Sequence, residues 1–497
     1  MLRLSMMETR NQLDMFQRKE VRMHRPGHDY QFEAFHAIES IADEGFLFNW
    51  SKTNPLAPLN KVFQPTSEQG LRSILLGGYE TVRVVGSTLS FEPVHSVHGE
   101  AGPAALIDLR SWTGQVAVGE DFVTYKAATA VEQLYADLLE MDRMLPACPG
   151  VIGIQTLAGA LGTGTHGQGM RQSSLGDAAL SMKVMLADGQ IQLIERDDPR
   201  FGAFMLSMGC LGIVLEVSFR TVPNVILKCR KLTVDQEWLI ANHERLNYEH
   251  MFVKTWWFAW TGEAHVWLVD PASESEAQAY RAGGCLPLDL GSDTGQASLL
   301  DPTVEATMLK MGVDTKNEAL DGQHIETMRR FKDGNNLIGN VYQLLCKGIP
   351  APQINCEVSV PFDKAVEAIG ILRQWQQEHP SVLHYPFILR CCGASEAWLS
   401  PAYGRPVCWI GFLVYLAADG QFARGSLDWM HEVQARLARL GGAPHMGKHF
   451  SPEIYKFSER TRWRDFDRLR KELDPNGLFE NQFVKRLFAP SGQEVAQ

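Results

Sequence analysis

The 497-residue sequence contains no uninterrupted apolar run of the roughly 18 residues that a membrane-crossing helix needs, so no span is expected. It has no basic block either. With 47 Lys and Arg against 58 Asp and Glu the formal charge is −11, and no continuous phosphate-neutralising face is on offer, which argues against a nucleic-acid partner. The nine cysteines include no Cys-x-x-Cys pair and no regular framework. That disfavours structural zinc and a disulfide scaffold and fits reduced thiols; no metal site is expected. The first 25 residues lack the apolar stretch of a secretory leader, since Arg3, Arg10, Arg18 and Lys19 are mixed with Glu8, Asp14 and Glu20. Those acids are also out of place in a mitochondrial presequence. The cytoplasm is the expected location and the mitochondrion the alternative.

What remains is a chain suited to small-molecule chemistry. Apolar residues make up 45% and charged residues 21%, enough for folded cores. The length exceeds the ~250–300 residues at which one core stops growing, so two or more domains are expected. The most informative stretch is Arg83 to Phe91, where the apolar run Val84-Val85 ends in Gly86-Ser87-Thr88-Leu89-Ser90. A buried strand running into small residues presents successive backbone N–H groups, which together form an anion-binding concavity. Most Gly-Ser turns bind nothing. A second small-residue run, Gly159 to Gly169, strengthens this one.

Periodicity places a capped helix entry at Thr66 to Leu71 and strands at Thr81–Val85, Ala104–Leu109 and Val116–Val118. A helix is expected over Ala130–Leu145, and a hairpin over Ser181–Leu186 and Ile191–Ile194. After Val222-Pro223 the texture changes to aromatic strands, notably Phe252–Trp260, read as a sheet core with both faces covered; a substrate platform is the lesser alternative. Further strands (Asn355–Val360, His384–Arg390, Val407–Leu416) and helices (Lys364–His379, Gly425–Leu440, Trp463–Leu473) make the middle of the chain a separate α+β unit.

Taken together, Arg83 to Phe91, Gln155 to Gly169, Gly209 to Val217, Pro444 to Lys448 and Asp474 to Asn481 resemble, in order and spacing, the FAD-linked oxidoreductases of the vanillyl-alcohol oxidase type. Within these the chain looks most like the aldonolactone oxidase and alditol oxidase branch. Five ordered motifs are far more specific than one. The resemblance implies an α+β fold: a split, PCMH-type FAD-binding domain of two α/β subdomains, with an α+β cap or substrate domain. The expected boundaries are an N-terminal extension at 1–47, the first part of the FAD-binding domain at 48–224, the cap at 225–440 and the return at 441–497. FAD is the implied cofactor; neither small-residue run places G-x-G-x-x-G directly between a strand and a helix with an acid about 20 residues on, which disfavours NAD.

By the same resemblance Val85, Gly86, Ser87, Thr88, Leu89 and Ser90 would hold the pyrophosphate. Gly159, Gly162, Thr163, Gly164, Thr165, His166 and Gly169 would line the rest of the dinucleotide, with Gly212 and Ile213 near its adenine end. His166 reads equally well as a packed histidine bonded to backbone. Leu89 stands where oxidases of this branch usually carry the histidine that tethers the flavin, so a non-covalent flavin is implied; His95 and His98 lie nearby but on a different loop path. Lys448, in His445-Met446-Gly447-Lys448, matches a cation beside the flavin, and Arg390 matches the arginine of a Glu-x-Arg segment whose acid is here Ile388. Glu357 is expected to pair with Arg390.

Arg390, Lys448 and Glu357 are thus the catalytic candidates. The expected activity is FAD-dependent oxidation of a CH–OH group in an alcohol, lactone or polyol, with oxygen or another carrier as electron acceptor. Two alternatives stay open: a flavin-dependent oxidase or oxidative cyclase acting on a less polar substrate, and a flavin-binding protein without turnover.

Overall fold

The computed structural model describes residues 42–43, 45–148, 150, 152–291, 336–346, 353–380, 385–415 and 425–489. Most of the expected N-terminal extension, the punctuated stretch 292–335, His384 and Leu416 lie outside them. The strand Phe46–Phe48 pairs with Ala42–Asp43 on one side and Pro55–Pro58 on the other, so the expected boundary after residue 47 falls inside a strand.

Thr81–Val85, rich in β-branched residues, forms a buried parallel strand beside Ala104–Asp108, with Val62–Phe63 on the far side. The preceding helix Glu68–Leu75 starts where expected: the Ser67 hydroxyl accepts from the Gly70 N–H at 3.1 Å. Its Leu71 and Leu75 pack with Val82, Ala105 and Ile107. Met185, Ile213 and Leu215 of an adjoining antiparallel sheet, ordered 191–195, 179–185, 213–220, 122–126, 115–118, close the same core. So do Leu478 and Phe479 from the far end of the chain. The Val82 N–H donates to the Leu478 carbonyl at 2.7 Å, which fixes the return of the C-terminus onto the first strand of the motif.

The hairpin forms as read, with Ala179–Met185 paired to Ile191–Glu195. The helix expected over Ala130–Leu145 is shorter and spans Val131–Glu140. Asp142 adopts a left-handed backbone (φ 51°), and Arg143-Met144 then pairs with Val222-Pro223, so tertiary pairing overrides helical periodicity.

The middle of the chain builds an antiparallel sheet that has nine strands among the described residues. Their order is 288–291, 336–339, 227–235, 263–271, 252–258, 387–392, 407–415, 353–361, 443–444. On Phe252–Phe258 every residue is buried. Trp257 stacks on Phe387, which in turn meets Trp375 of the helix Ala365–Glu378, while Trp256 and Lys254 point to the opposite face. Both faces of the aromatic strand are therefore covered.

Candidate active site

The loop after Thr81–Val85 is held from all sides by hydrogen bonds that leave its own polar groups facing a cleft. The Trp50 N–H donates to the Thr88 carbonyl at 3.0 Å, Asn49 Nδ2 to the Ser90 carbonyl at 3.2 Å, and Ser87 Oγ to the Ile154 carbonyl at 2.5 Å. Gly86 is required by packing, because a Cβ there would stand 2.3 Å from Thr156 Oγ1. Thr156 caps the helix Leu157–Thr163 through the Gly159 N–H. Thr88 (φ 55°) and Met208 (φ 51°) hold left-handed conformations that are strained for side chains of their kind, and both line the cleft.

The cleft is open to solvent at its mouth and runs from the 83–90 strand and loop past the 155–166 segment to Glu357, Arg390 and Lys448. Arg83 rises from its buried strand into this space. Its guanidinium donates to the carbonyls of Met208, Gly209 and Phe479 and has no acidic partner among the described residues. Arg83 Nε, Thr88 Oγ1 and His95 Nε2 are buried without a hydrogen-bond partner among the described residues, and all three residues line the cleft. Orphaned polar atoms around a cradle of backbone N–H groups fit a polar, anionic ligand.

At the inner end of the cleft, side chains from the nine-stranded sheet converge with those of two loops. Glu357 and Ile388 both lie opposite Gly411, and Arg390 lies opposite Trp409, so all of them share one sheet face. Arg390 donates to Glu357 Oε1 in a buried ion pair. His166 stacks on Trp409 with centroids 4.1 Å apart, and its Nε2 lies 3.6 Å from Glu357 Oε2. The His445 N–H donates to the Glu357 carbonyl at 2.9 Å, which seats the 445–448 loop against the strand. Lys448 follows, with Nζ 5.9 Å from the Phe91 ring centroid.

Burial alone would raise the Glu357 carboxyl, but the Arg390 guanidinium, followed by His166, outweighs it and holds the group well below the usual carboxylate range. Burial lowers His166, with Glu357 opposing, and holds His445 well below its ordinary value. Burial also lowers the Lys448 amine, against the pull of Glu357. The inner end therefore brings one carboxylate held low by Arg390 together with the Arg390 guanidinium, the Lys448 amine and two buried imidazoles.

Of the expected cofactor-binding residues, Val85, Gly86, Ser87, Thr88, Leu89, Ser90, Gly159, Gly162, Thr163, Thr165, His166, Gly212, Ile213 and Lys448 all line this one cleft, as do Arg390 and Glu357. Gly164 and Gly169 do not. Gly164 ends the Leu157–Thr163 helix in a left-handed conformation, and Gly169 donates its N–H to the Cys391 carbonyl at the edge of the large sheet. Leu89 packs with Trp50, Phe91 and Ile152, an apolar cluster with no nucleophile. His95 lines the cleft, whereas His98 sits edge-on against Phe46. Sequence reasoning did not nominate Arg83, Gln155, Ser207, Met208 or His445, which also line the cleft. A charged residue inside an otherwise apolar strand was the available signal for Arg83.

Residues 60–195 match the FAD binding domain family, and residues 217–487 match the D-arabinono-1,4-lactone oxidase family. The chain belongs to the D-arabinono-1,4-lactone oxidase family. FAD is the cofactor of this family member, and the cleft with its orphaned donors fits it. A putative D-arabinono-1,4-lactone oxidase of Neurospora crassa is 35% identical over 403 residues, covering 71% of this chain and 70% of that protein. Mouse L-gulonolactone oxidase is 23% identical over 460 residues, 88% of this chain and 97% of that protein. L-Gulono-1,4-lactone dehydrogenase of Mycobacterium tuberculosis is also 23% identical, covering 89% and 99%. Among solved structures, cholesterol oxidase from Brevibacterium sterolicum superposes with a TM-score of 0.71 at 15% identity, over 91% of this chain and 98% of that one. At that identity the likeness concerns the fold. The family member is an FAD-dependent oxidoreductase, and among its described residues no helix is long and apolar enough to cross a membrane.

Proposed function

We propose that this protein oxidises the CH–OH carbon of a sugar-lactone-type substrate, with FAD held non-covalently in the cleft. The observation that carries the reading is the meeting of Arg390, Glu357 and Lys448 at the inner end of a cleft whose other end is a phosphate cradle. FAD, when bound, supplies the hydride acceptor. Arg390, fixed by Glu357, orients the oxygens of the lactone. Lys448 places a positive charge at the ring end of the cleft, where negative charge develops as the carbon is oxidised. Arg83 and the 86–90 loop take the pyrophosphate. Among the described residues, those up to 224 and those from 441 to 489 hold the cofactor, and the large sheet between them covers it. The relatives named for lactones support the substrate class.

A second reading, a less polar substrate, is favoured by the row Trp256, Ile388, Gly411, which presents no acceptor for a hydroxyl beside Glu357. Anaerobic mixing with aldonolactones, alditols and aromatic alcohols separates the two by which class bleaches the flavin. Bleaching by none of them, with FAD at full occupancy, overturns both and leaves a flavin-binding protein. Air-saturated buffer added to the reduced protein then shows whether oxygen or another carrier is the acceptor. Acid precipitation tests the tether: the yellow colour is expected in the supernatant, and a yellow pellet means a covalent flavin.

A further inference from the structure

The large sheet has a second face, and three ligand-type side chains converge on it. Side chains alternate along a strand, so with Arg390 and Trp409 on the face that meets the cleft, their neighbours Cys391 and Cys408 point the other way. The two cysteines stand directly opposite each other in the register of Phe387–Cys392 and Val407–Tyr415, which brings their side chains together. The helix Gln236–Glu249 buries Leu239, His243, Leu246 and Asn247, and of these His243 reaches the pair, with Nε2 3.5 Å from Cys391 Sγ. The nitrogen and sulfur atoms of His243, Cys391 and Cys408 all lie within 4.8 Å of one another. His243 is 3% exposed and each cysteine 1%. Phe362 stacks on the imidazole with centroids 5.6 Å apart, which holds the ring plane. None of the three lines the cleft.

We propose that His243, Cys391 and Cys408 form a structural zinc site of two thiolates and one imidazole. Thiolate and imidazole together select zinc or copper among the first-row ions. Two thiolates cancel the charge of a divalent zinc, whereas around monovalent copper the buried group keeps a net negative charge that nothing solvates. Zn–S bonds of about 2.3 Å and a Zn–N bond of about 2.0–2.1 Å, set at the tetrahedral angle, put sulfur and nitrogen about 3.5 Å apart. That is the separation between Cys391 and His243. No fourth His, Cys, Asp or Glu joins the group among the described residues, so a water molecule completes the tetrahedron. As zinc binds, the two thiol protons pass to solvent and no electron moves. The ion ties the helix Gln236–Glu249 to two adjacent strands directly behind Arg390 and Trp409, and so braces the strand that presents Arg390 to the cleft.

The test is metal content and zinc-edge X-ray absorption of the wild-type holoprotein, purified without chelator from zinc-supplemented cells. About one zinc per chain is expected, with two sulfur neighbours at about 2.3 Å and nitrogen or oxygen at about 2.0–2.1 Å. The sulfur count separates this site from the two other convergent groups, His166–Glu357–His445 and Glu378–His379–Glu432, which hold no cysteine. His243→Gln and Cys408→Ala should each lower the zinc content by at least about 10-fold. The wild type, unlike either variant, should melt lower after long dialysis against a chelator, by on the order of 5 °C. A shell of oxygen and nitrogen alone marks an adventitious ion only and overturns the inference. So does a wild type that takes up no zinc, a variant that holds as much zinc as the wild type, or a mass two hydrogens lower from a Cys391–Cys408 disulfide. If neither variant folds, the sulfur count of the wild type decides.

Discussion

Removing a charge from the inner end of the cleft has different consequences depending on what the charge faces. Lys448 lines the cleft and is in no salt bridge among the described residues, so Lys448→Met should spare the fold yet slow flavin reduction by on the order of 100-fold, since it deletes stabilisation of developing charge. A change within about twofold would make it an ordinary surface lysine. Arg390 faces Glu357, and Arg390→Met strands a buried carboxylate at a cost of about 3–5 kcal/mol. Thermal melting should show that loss, and adding Glu357→Gln should restore part of it. His95 makes a prediction about pH. Burial and Arg83 lower its imidazole to about 3, below the unfolded value of 6.5, so it favours the fold above pH 6.5 and that contribution drains away as pH falls towards 3. His95→Gln should flatten the acid limb of a plot of melting temperature against pH. At this scale Lys448 is legible because it sits in an ordered motif, while Arg390 and Glu357 are single positions that only the family resemblance picks out. Arg83 met its partners across separations of 125 to 396 residues, which no local pattern encodes. The same is true of His243, Cys391 and Cys408, whose side-chain nitrogen and sulfur atoms lie within 4.8 Å of one another in the core although their spacing follows no ligand pattern.

Two elements meet where Gly86 touches Thr156, and their closeness shapes the cradle. Gly86→Ala drives a methyl into the capping hydroxyl, so the loop or the helix start must move, at about 1–3 kcal/mol. Weakened FAD retention on a desalting column should report it, and a Gly86→Ala protein that keeps its flavin and melting temperature would show that the contact is slack. The glycines of the Gly159–Gly169 run argue against a helix there, because glycine is a poor helix former. Its first part is nonetheless helical, since Thr156 caps the start and Gly164 supplies the left-handed stop. Those two end signals were present in the sequence, and the glycines between them masked the helix. Strands read well throughout, because the buried β-branched and aromatic runs of Thr81–Val85 and Phe252–Phe258 leave little freedom in either face.

Across the whole molecule the cofactor-binding half is stitched from the two ends of the chain. Leu478 and Phe479 fill the core under Val82, and Asn481 Nδ2 donates to the carbonyls of Pro93 and Ser96 at 2.7 and 2.8 Å. A chain ending at Leu473 should therefore lose its FAD and melt lower by on the order of 10 °C, although every strand of the large sheet precedes the cut. Retention of flavin by that truncated chain would contradict the assignment.

The Arg83 contact with Phe479 also sets an order of events during synthesis. Chains emerge from the ribosome N-terminus first, at about 5–20 residues per second. The phosphate loop is made early, but the carbonyl that anchors Arg83 is made 396 residues after it. A nascent chain thus has half a cradle and nothing to close it until Phe479 has emerged, so flavin loading waits for that segment. Cells starved of flavin should accumulate full-length apoprotein with an exposed seam between its two ends, the form that chaperones and proteases would meet.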